Sequence, residues 1–116
     1  EMITREGMAT ADNDRFLRLW PEISTKKFSK YNEFSDKWFP YNKGGIFRRW
    51  YGNREFVVDW ENNGYAIKNN IDQKTGRIRS HNYNGEYAFR RCITWSALSS
   101  GNISLRYCFK RGFMVC

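Results

Sequence analysis

Phe56-Val57-Val58-Asp59-Trp60, followed at once by Glu61-Asn62-Asn63-Gly64, is the stretch from which the fold is read. Paired valines between aromatic rings suit a pleated surface better than a helix, so 56–60 reads as a strand. Asn62-Asn63-Gly64 turns the chain, and 65–70 reads as a helical turn. Further on, Asp72 to Gly76 is a polar turn leading into the basic Arg77-Ile78-Arg79, and 85–91 reads as a short helix. Three strands then follow, Cys92 to Ser96, Ile103 to Tyr107 and Gly112 to Val115, with Ser99-Ser100-Gly101-Asn102 turning the first into the second.

Upstream of the opening strand the pattern is less regular. Residues 46–51 stay open between a helical turn and a strand. Residues 26–45 hold Pro40, Gly44-Gly45 and many polar side chains, which read as a long ordered loop pinned to the core by Phe28, Tyr31, Phe34, Trp38, Phe39 and Tyr41. Asp12 or Asn13 is placed to cap a short helix whose apolar stripe is Phe16, Leu17, Leu19 and Trp20, and Pro21 forbids its continuation. The sum is an α+β unit, small and rich in aromatics, with an antiparallel sheet near its C-terminus and few short helices. With 116 residues it is one domain or a piece of one. Three parts are expected: a junction segment 7–25, a basic aromatic block 26–54 and a strand-rich part 55–116. The chain starts at Glu1, and Phe113 to Cys116 read as a strand still in progress, so a piece excised from a larger fold is expected.

Composition excludes disorder: 18% aromatic residues supply the apolar area that disordered chains lack. The net charge of +8 is unevenly spread. Residues 26–54 carry eight basic side chains against Glu33 and Asp36, and residues 77–116 carry seven against Glu86 alone, so each block is +6. The stretches 1–25 and 55–76 are each −2. Such blocks mark shaped cationic surfaces more than a general solubility charge.

Cys92, Cys108 and Cys116 lack metal-ligand spacing, and their odd number argues against a disulfide framework. Reduced thiols in a cytoplasmic protein are expected, with no metal site. No apolar run approaches the roughly 18 residues of a membrane span, so no membrane partner is expected. No catalytic set is found. His81 is the only histidine and lies in a polar stretch; Asp59 and Glu61 flank Trp60 as an acidic pair at a strand end, more often solvated than chemical.

What remains is binding. Residues 26–54 interleave their cations with nine rings. Cations neutralise phosphates and release counterions. The guanidinium forks of Arg48, Arg49, Arg77 and Arg79 match phosphates or guanine edges, and Asn42, Asn53, Asn82 and Asn84 can pair with adenine. Rings can stack on unpaired bases. The combination favours nucleic acid over lipid or acidic protein.

Three segments then carry a resemblance. Gly7-Met8-Ala9-Thr10-Ala11-Asp12-Asn13-Asp14-Arg15-Phe16-Leu17-Arg18-Leu19-Trp20 resembles a segment found after the catalytic core of large N6-adenine DNA methyltransferases. These include the methyltransferases of BREX phage-defence systems and of fused restriction–modification enzymes. Lys37-Trp38-Phe39-Pro40-Tyr41-Asn42-Lys43-Gly44-Gly45 with Phe47-Arg48-Arg49-Trp50-Tyr51-Gly52-Asn53 is similar to the family's next block. Ile93-Thr94-Trp95-Ser96, Ser99-Ser100-Gly101 and Ser104-x-Arg106-Tyr107 resemble its following signature, and Gly112-Phe113 opens the strand after it.

The resemblance implies a parent enzyme that methylates adenine N6 from S-adenosylmethionine, with this region at the junction between catalytic core and target-recognition domain. The partners it implies are double-stranded DNA and the catalytic domain of the same parent chain. Thr10, Asp12, Asn13, Lys43, Arg48, Arg49, Trp95 and Ser96 become candidate DNA-cleft positions, beside Arg77 and Arg79. No catalytic residue and no cofactor is expected in this segment. Phe39-Pro40-Tyr41-Asn42 lacks the leading Asn/Asp-Pro of the family's catalytic motif, and Gly44-Gly45 lacks the third glycine of a cofactor turn. One departure from the pattern matters: Ala11 stands where the family has glycine, and a positive φ there would strain it by about 1 kcal/mol. The alternatives are a free-standing single-strand or RNA-binding module, and a scaffold piece whose basic surface meets another protein.

Overall fold

The computed structural model describes residues 3–23, 37–44, 47–50, 52, 55–82, 84–96 and 101–108. At its centre lies β3 (Phe56–Asp59), flanked by β1 (Leu17–Leu19) and β2 (Trp38–Tyr41) in the order β1-β3-β2. Both pairings are antiparallel: Leu17 faces Val58 on one side, and Phe39 faces Val58 on the other. Neighbouring strand residues point to opposite faces, yet Val57 and Val58 are both buried, so this strand is covered on both sides. Met8, Phe16, Leu17, Phe39, Tyr41, Val58, Trp60 and Ile67 form the core cluster.

Two sequence expectations are corrected here. The apolar residues Phe16-Leu17-Leu19-Trp20 do not share one helix: Phe16 ends a helical turn, Leu17 and Leu19 are extended, and Trp20 opens a 3-10 turn. The helix α1 (Asn13–Phe16) is capped by the Asp12 carboxylate, which accepts from the Arg15 amide at 3.1 Å, and it ends where Leu17 begins β1. Pairing with β3 satisfies the 17–19 backbone and overrides the helical spacing, which a strand of three residues is too short to reveal. Likewise the end of the expected 26–45 loop, Trp38-Phe39-Pro40-Tyr41, is strand β2. Proline lacks a donor, and β2 tolerates Pro40 because it is an edge strand. Residues 24–36 lie outside the described residues.

After β3, Trp60 is buried and its amide donates to the Lys37 carbonyl at 2.9 Å. The next segment, α2 (Glu61–Lys68), begins as a left-handed turn: Asn62, Asn63 and Gly64 have φ of 52°, 59° and 74°. Asparagine and glycine are the residues that adopt this conformation most readily. Gly64 is required for a second reason, since a Cβ there would stand 2.8 Å from the Trp60 ring. The Asp59 and Glu61 carboxylates both reach the Lys37 ammonium, at 3.3 and 3.7 Å, so the acidic pair is an ion-pair clamp on β2.

Residues 70–79 form a hairpin in which Ile71 bridges Ile78. The Asp72 carboxylate accepts from the Lys74 and Thr75 amides at 2.7 and 3.0 Å, which holds it below the usual carboxylate range. Beyond it, His81 bridges Ala9 through reciprocal backbone bonds of 2.8 and 2.9 Å. The helix expected over 85–91 is shorter, one 3-10 turn at Gly85–Tyr87.

The second sheet is two-stranded, β4 (Cys92–Thr94) antiparallel to β5 (Arg106–Cys108), with Thr94 facing Arg106. On the other edge of β5 Trp50 adds a parallel bridge, its amide donating to Leu105 and its carbonyl accepting from Tyr107, both at 3.1 Å. Gly112 to Val115, expected as a third strand, lie outside the described residues. The architecture is α+β: short helices and two antiparallel sheets.

Candidate nucleic-acid interface

The candidate residues gather in two neighbourhoods. The first is the turn at Thr10. Ala11 has φ 60°, so the position where the family pattern has glycine is left-handed here. Around it, the Thr10 hydroxyl donates to Asn13 Oδ1 at 2.6 Å, and the Ser80 hydroxyl donates to the Thr10 carbonyl at 2.6 Å. Asn70 Nδ2 in turn donates to Ser80 Oγ at 3.2 Å. Thr10 is only 2% exposed, so its hydroxyl builds the turn; it is Asn13 and Asp14, outside it, that solvent reaches. Asp12 is half-buried and engaged as the helix cap. Arg77 and Arg79 are exposed on the hairpin that joins this turn through Ser80 and His81.

The second neighbourhood joins residues some fifty positions apart in the chain. Asn42, just after β2, donates to Thr94 Oγ1 at 2.6 Å and to Cys108 Sγ at 3.1 Å, tying the two sheets together. Gly44 lies against Ser96, whose Oγ would be 3.1 Å from any Cβ added there. The Ser104 hydroxyl donates to the Arg48 carbonyl. Lys43, Arg48, Arg49 and Ser96 therefore belong to one locale, with the Lys43 ammonium lying over the Phe56 ring at 4.9 Å. Arg48 and Arg49 are exposed, and so are two tryptophans, Trp50 at 64% next to Arg49 and Trp95 at 48% next to Ser96.

At the centre stands a residue that sequence reasoning passed over. Arg106 is 3% exposed, with Nη1 donating to Ser104 Oγ and Nη2 to Ser96 Oγ, each at 3.4 Å. Among the described residues its Nε has no partner. The sequence carried a signal for it: in Ser104-x-Arg106-x-Cys108 the polar positions alternate with Ile103, Leu105 and Tyr107. The alternation is inverted relative to a half-buried strand, because Ser104, Arg106 and Cys108 are buried while Ile103 and Leu105 are exposed.

Chemically, Asn42, Lys43, Arg48, Arg49, Thr94, Ser96, Ser104 and Arg106 present donors and positive charge, and none of them is acidic. Among the described residues no group of three or more His, Cys, Asp or Glu side chains gathers to hold a metal. Among the described residues, Gly44 and Asp59 do not make the strand–turn–helix cradle that S-adenosylmethionine takes. Gly44 follows an antiparallel edge strand rather than a parallel strand leading into a helix, and the nearest strand-end acid, Asp59, is held by Lys37.

Comparison with known proteins decides the family. No family model matches the chain. An adenine-specific methyltransferase PglX of Lacticaseibacillus casei is 56% identical over 108 residues, covering 89% of this chain. An adenine-specific methyltransferase BrxX of Escherichia coli is 35% identical over 101 residues, covering 87% of it. The chain belongs to the PglX/BrxX family, as a segment of a BREX methyltransferase. It spans 9% of the length of PglX and 8% of that of BrxX. Among the described residues of this PglX/BrxX segment, no helix is long and apolar enough to cross a membrane.

Proposed function

We propose that this segment is the DNA-contacting, target-recognition portion of a site-specific adenine-N6 DNA methyltransferase, placed beyond the catalytic core and catalysing nothing by itself. In this reading methyl transfer from S-adenosylmethionine belongs to the rest of the parent chain. The partners are double-stranded DNA on one side and the catalytic domain on the other. The observation that supports it is the meeting of two acid-free stretches. The sequence holds no carboxylate between Lys37 and Glu55, and none from Tyr87 to Cys116. The fold joins these stretches through Asn42–Thr94, Gly44–Ser96 and Arg48–Ser104. Cations concentrated without counter-charges make a surface suited to a polyanion. Lys43, Arg48, Arg49, Arg77, Arg79, Trp95 and Ser96 are its contact residues; Thr10, Asp12 and Asn13 shape the turn that presents the N-terminal side.

The test is the salt dependence of duplex binding by the full-length methyltransferase. Replacing Arg48 and Arg49 by Ala flattens the slope of log affinity against log salt by roughly one to two units, since each phosphate contact contributes about 0.9. An unchanged slope excludes both as phosphate contacts. The exposure of Trp50 and Trp95 favours one second reading, a platform for unpaired bases. Tryptophan fluorescence quenched more strongly by single strands than by duplex would select it.

A further inference from the structure

We infer that Ser96 and Arg106 form a seat for one phosphodiester oxyanion of bound DNA, with the Ser96 hydroxyl making the contact and the buried Arg106 guanidinium charging it from behind. The inference rests on the DNA-binding reading and assigns it an atom.

A guanidinium withdrawn from water is costly unless a negative charge compensates it. Arg106 is buried, its two terminal nitrogens make only long bonds to neutral hydroxyls, and its Nε is without a partner among the described residues. No carboxylate of the described residues forms an ion pair with it; the ion pairs there belong to Lys37. The compensating charge must therefore come from a ligand or from elsewhere in the parent chain.

The two serines around Arg106 differ in what they have left to give. Ser104 spends its proton on the Arg48 carbonyl. Ser96 accepts from Arg106 Nη2, and among the described residues its own proton has no acceptor. A hydroxyl accepting from a cation is a polarised donor, so an anion at Ser96 receives a charge-assisted bond. The approach is open: Ser96 is half-buried, and Gly44 beside it is exposed and carries no Cβ to stand in the way. Lys43, Arg48 and Arg49 lie in the same locale and supply long-range attraction. Phosphate fits this setting better than an internal carboxylate, because the surrounding cations continue out to exposed Arg48 and Arg49 rather than ending at Arg106.

The test uses the full-length methyltransferase, a mixed-sequence duplex and three variants: Arg106→Gln, Arg106→Lys and Ser96→Ala. For Arg106→Gln the salt slope is expected to fall by about one unit and low-salt affinity by about tenfold, with Arg106→Lys restoring the slope. Ser96→Ala keeps the slope and loses about tenfold in affinity. A lowered melting temperature with an unchanged slope for Arg106→Gln would mean that a carboxylate of the parent chain occupies the seat, and would overturn the inference. Should Arg106→Gln fail to fold, Ser96→Ala decides alone: wild-type affinity overturns the seat, and a tenfold loss supports it. Arg48→Ala/Arg49→Ala serves as reference. If it flattens the slope while Arg106→Gln does not and Ser96→Ala keeps wild-type affinity, only this inference fails. If the wild-type protein binds no duplex at low salt, the DNA-binding reading itself fails.

Discussion

Replacing Ala11 by Gly is expected to stabilise the fold. Ala11 has φ 60°, in the left-handed region where a Cβ crowds the following carbonyl at a cost of about 1–2 kcal/mol. Glycine removes that crowding but gains freedom in the unfolded chain, which returns roughly 0.4–1 kcal/mol. The side chain is exposed, so no packing is lost with the methyl group. The balance is a gain of about 0.5–1 kcal/mol, or roughly 2–5 °C in melting temperature for a chain of this size. Thermal unfolding of the 116-residue chain followed by circular dichroism measures it. Ala11→Val, whose branched Cβ tolerates this region least, is expected to shift the midpoint the other way. A midpoint that falls with glycine, or that valine leaves unchanged, would show that residue 11 has negative φ and would remove the basis for the Thr10 turn.

Two further outcomes test what holds the fold. Thr10→Ala deletes the hydroxyl that donates to Asn13, in a buried setting beside Ser80, and is expected to cost about 1–2 kcal/mol in urea unfolding. The same variant leaves duplex affinity unchanged, whereas a tenfold loss of affinity at an unchanged salt slope would make the Thr10 hydroxyl a phosphate contact. Asp72 is held below its ordinary value of 3.8 by the Thr75 and Lys74 amides, so its bonds are fully formed above that value. They weaken as pH falls below it and are lost below the folded value, which the Lys74 and Thr75 amide shifts in an NMR titration report. Amide shifts that stay constant through that range would mean that the carboxylate does not cap the turn.

Several features were legible because short-range chemistry governs them. Val57-Val58 between rings could only be satisfied as a strand, and Asn62-Asn63-Gly64 could turn left-handed where other residues would resist. The alanine at residue 11, where the resembling pattern has glycine, pointed to a place where a positive φ would strain the turn, and φ there is 60°. The net charge of the two basic blocks, and the family to which their residues point, are properties of composition and order alone.

Tertiary structure decided the rest. Leu17-Arg18-Leu19 satisfies a helical spacing as well as an extended one, and only the free edge of β3 selects the strand. Pro40 argues against a strand until β2 is known to lie at the edge of its sheet. No sequence rule foretells that Asn42, Gly44 and Arg48 will meet Thr94, Ser96 and Ser104, because contacts across some fifty residues depend on how two sheets dock. The burial of Arg106 follows from that docking too: the same strand pattern places a guanidinium in water or in the interior, and which face the rest of the chain covers is a property of the whole fold.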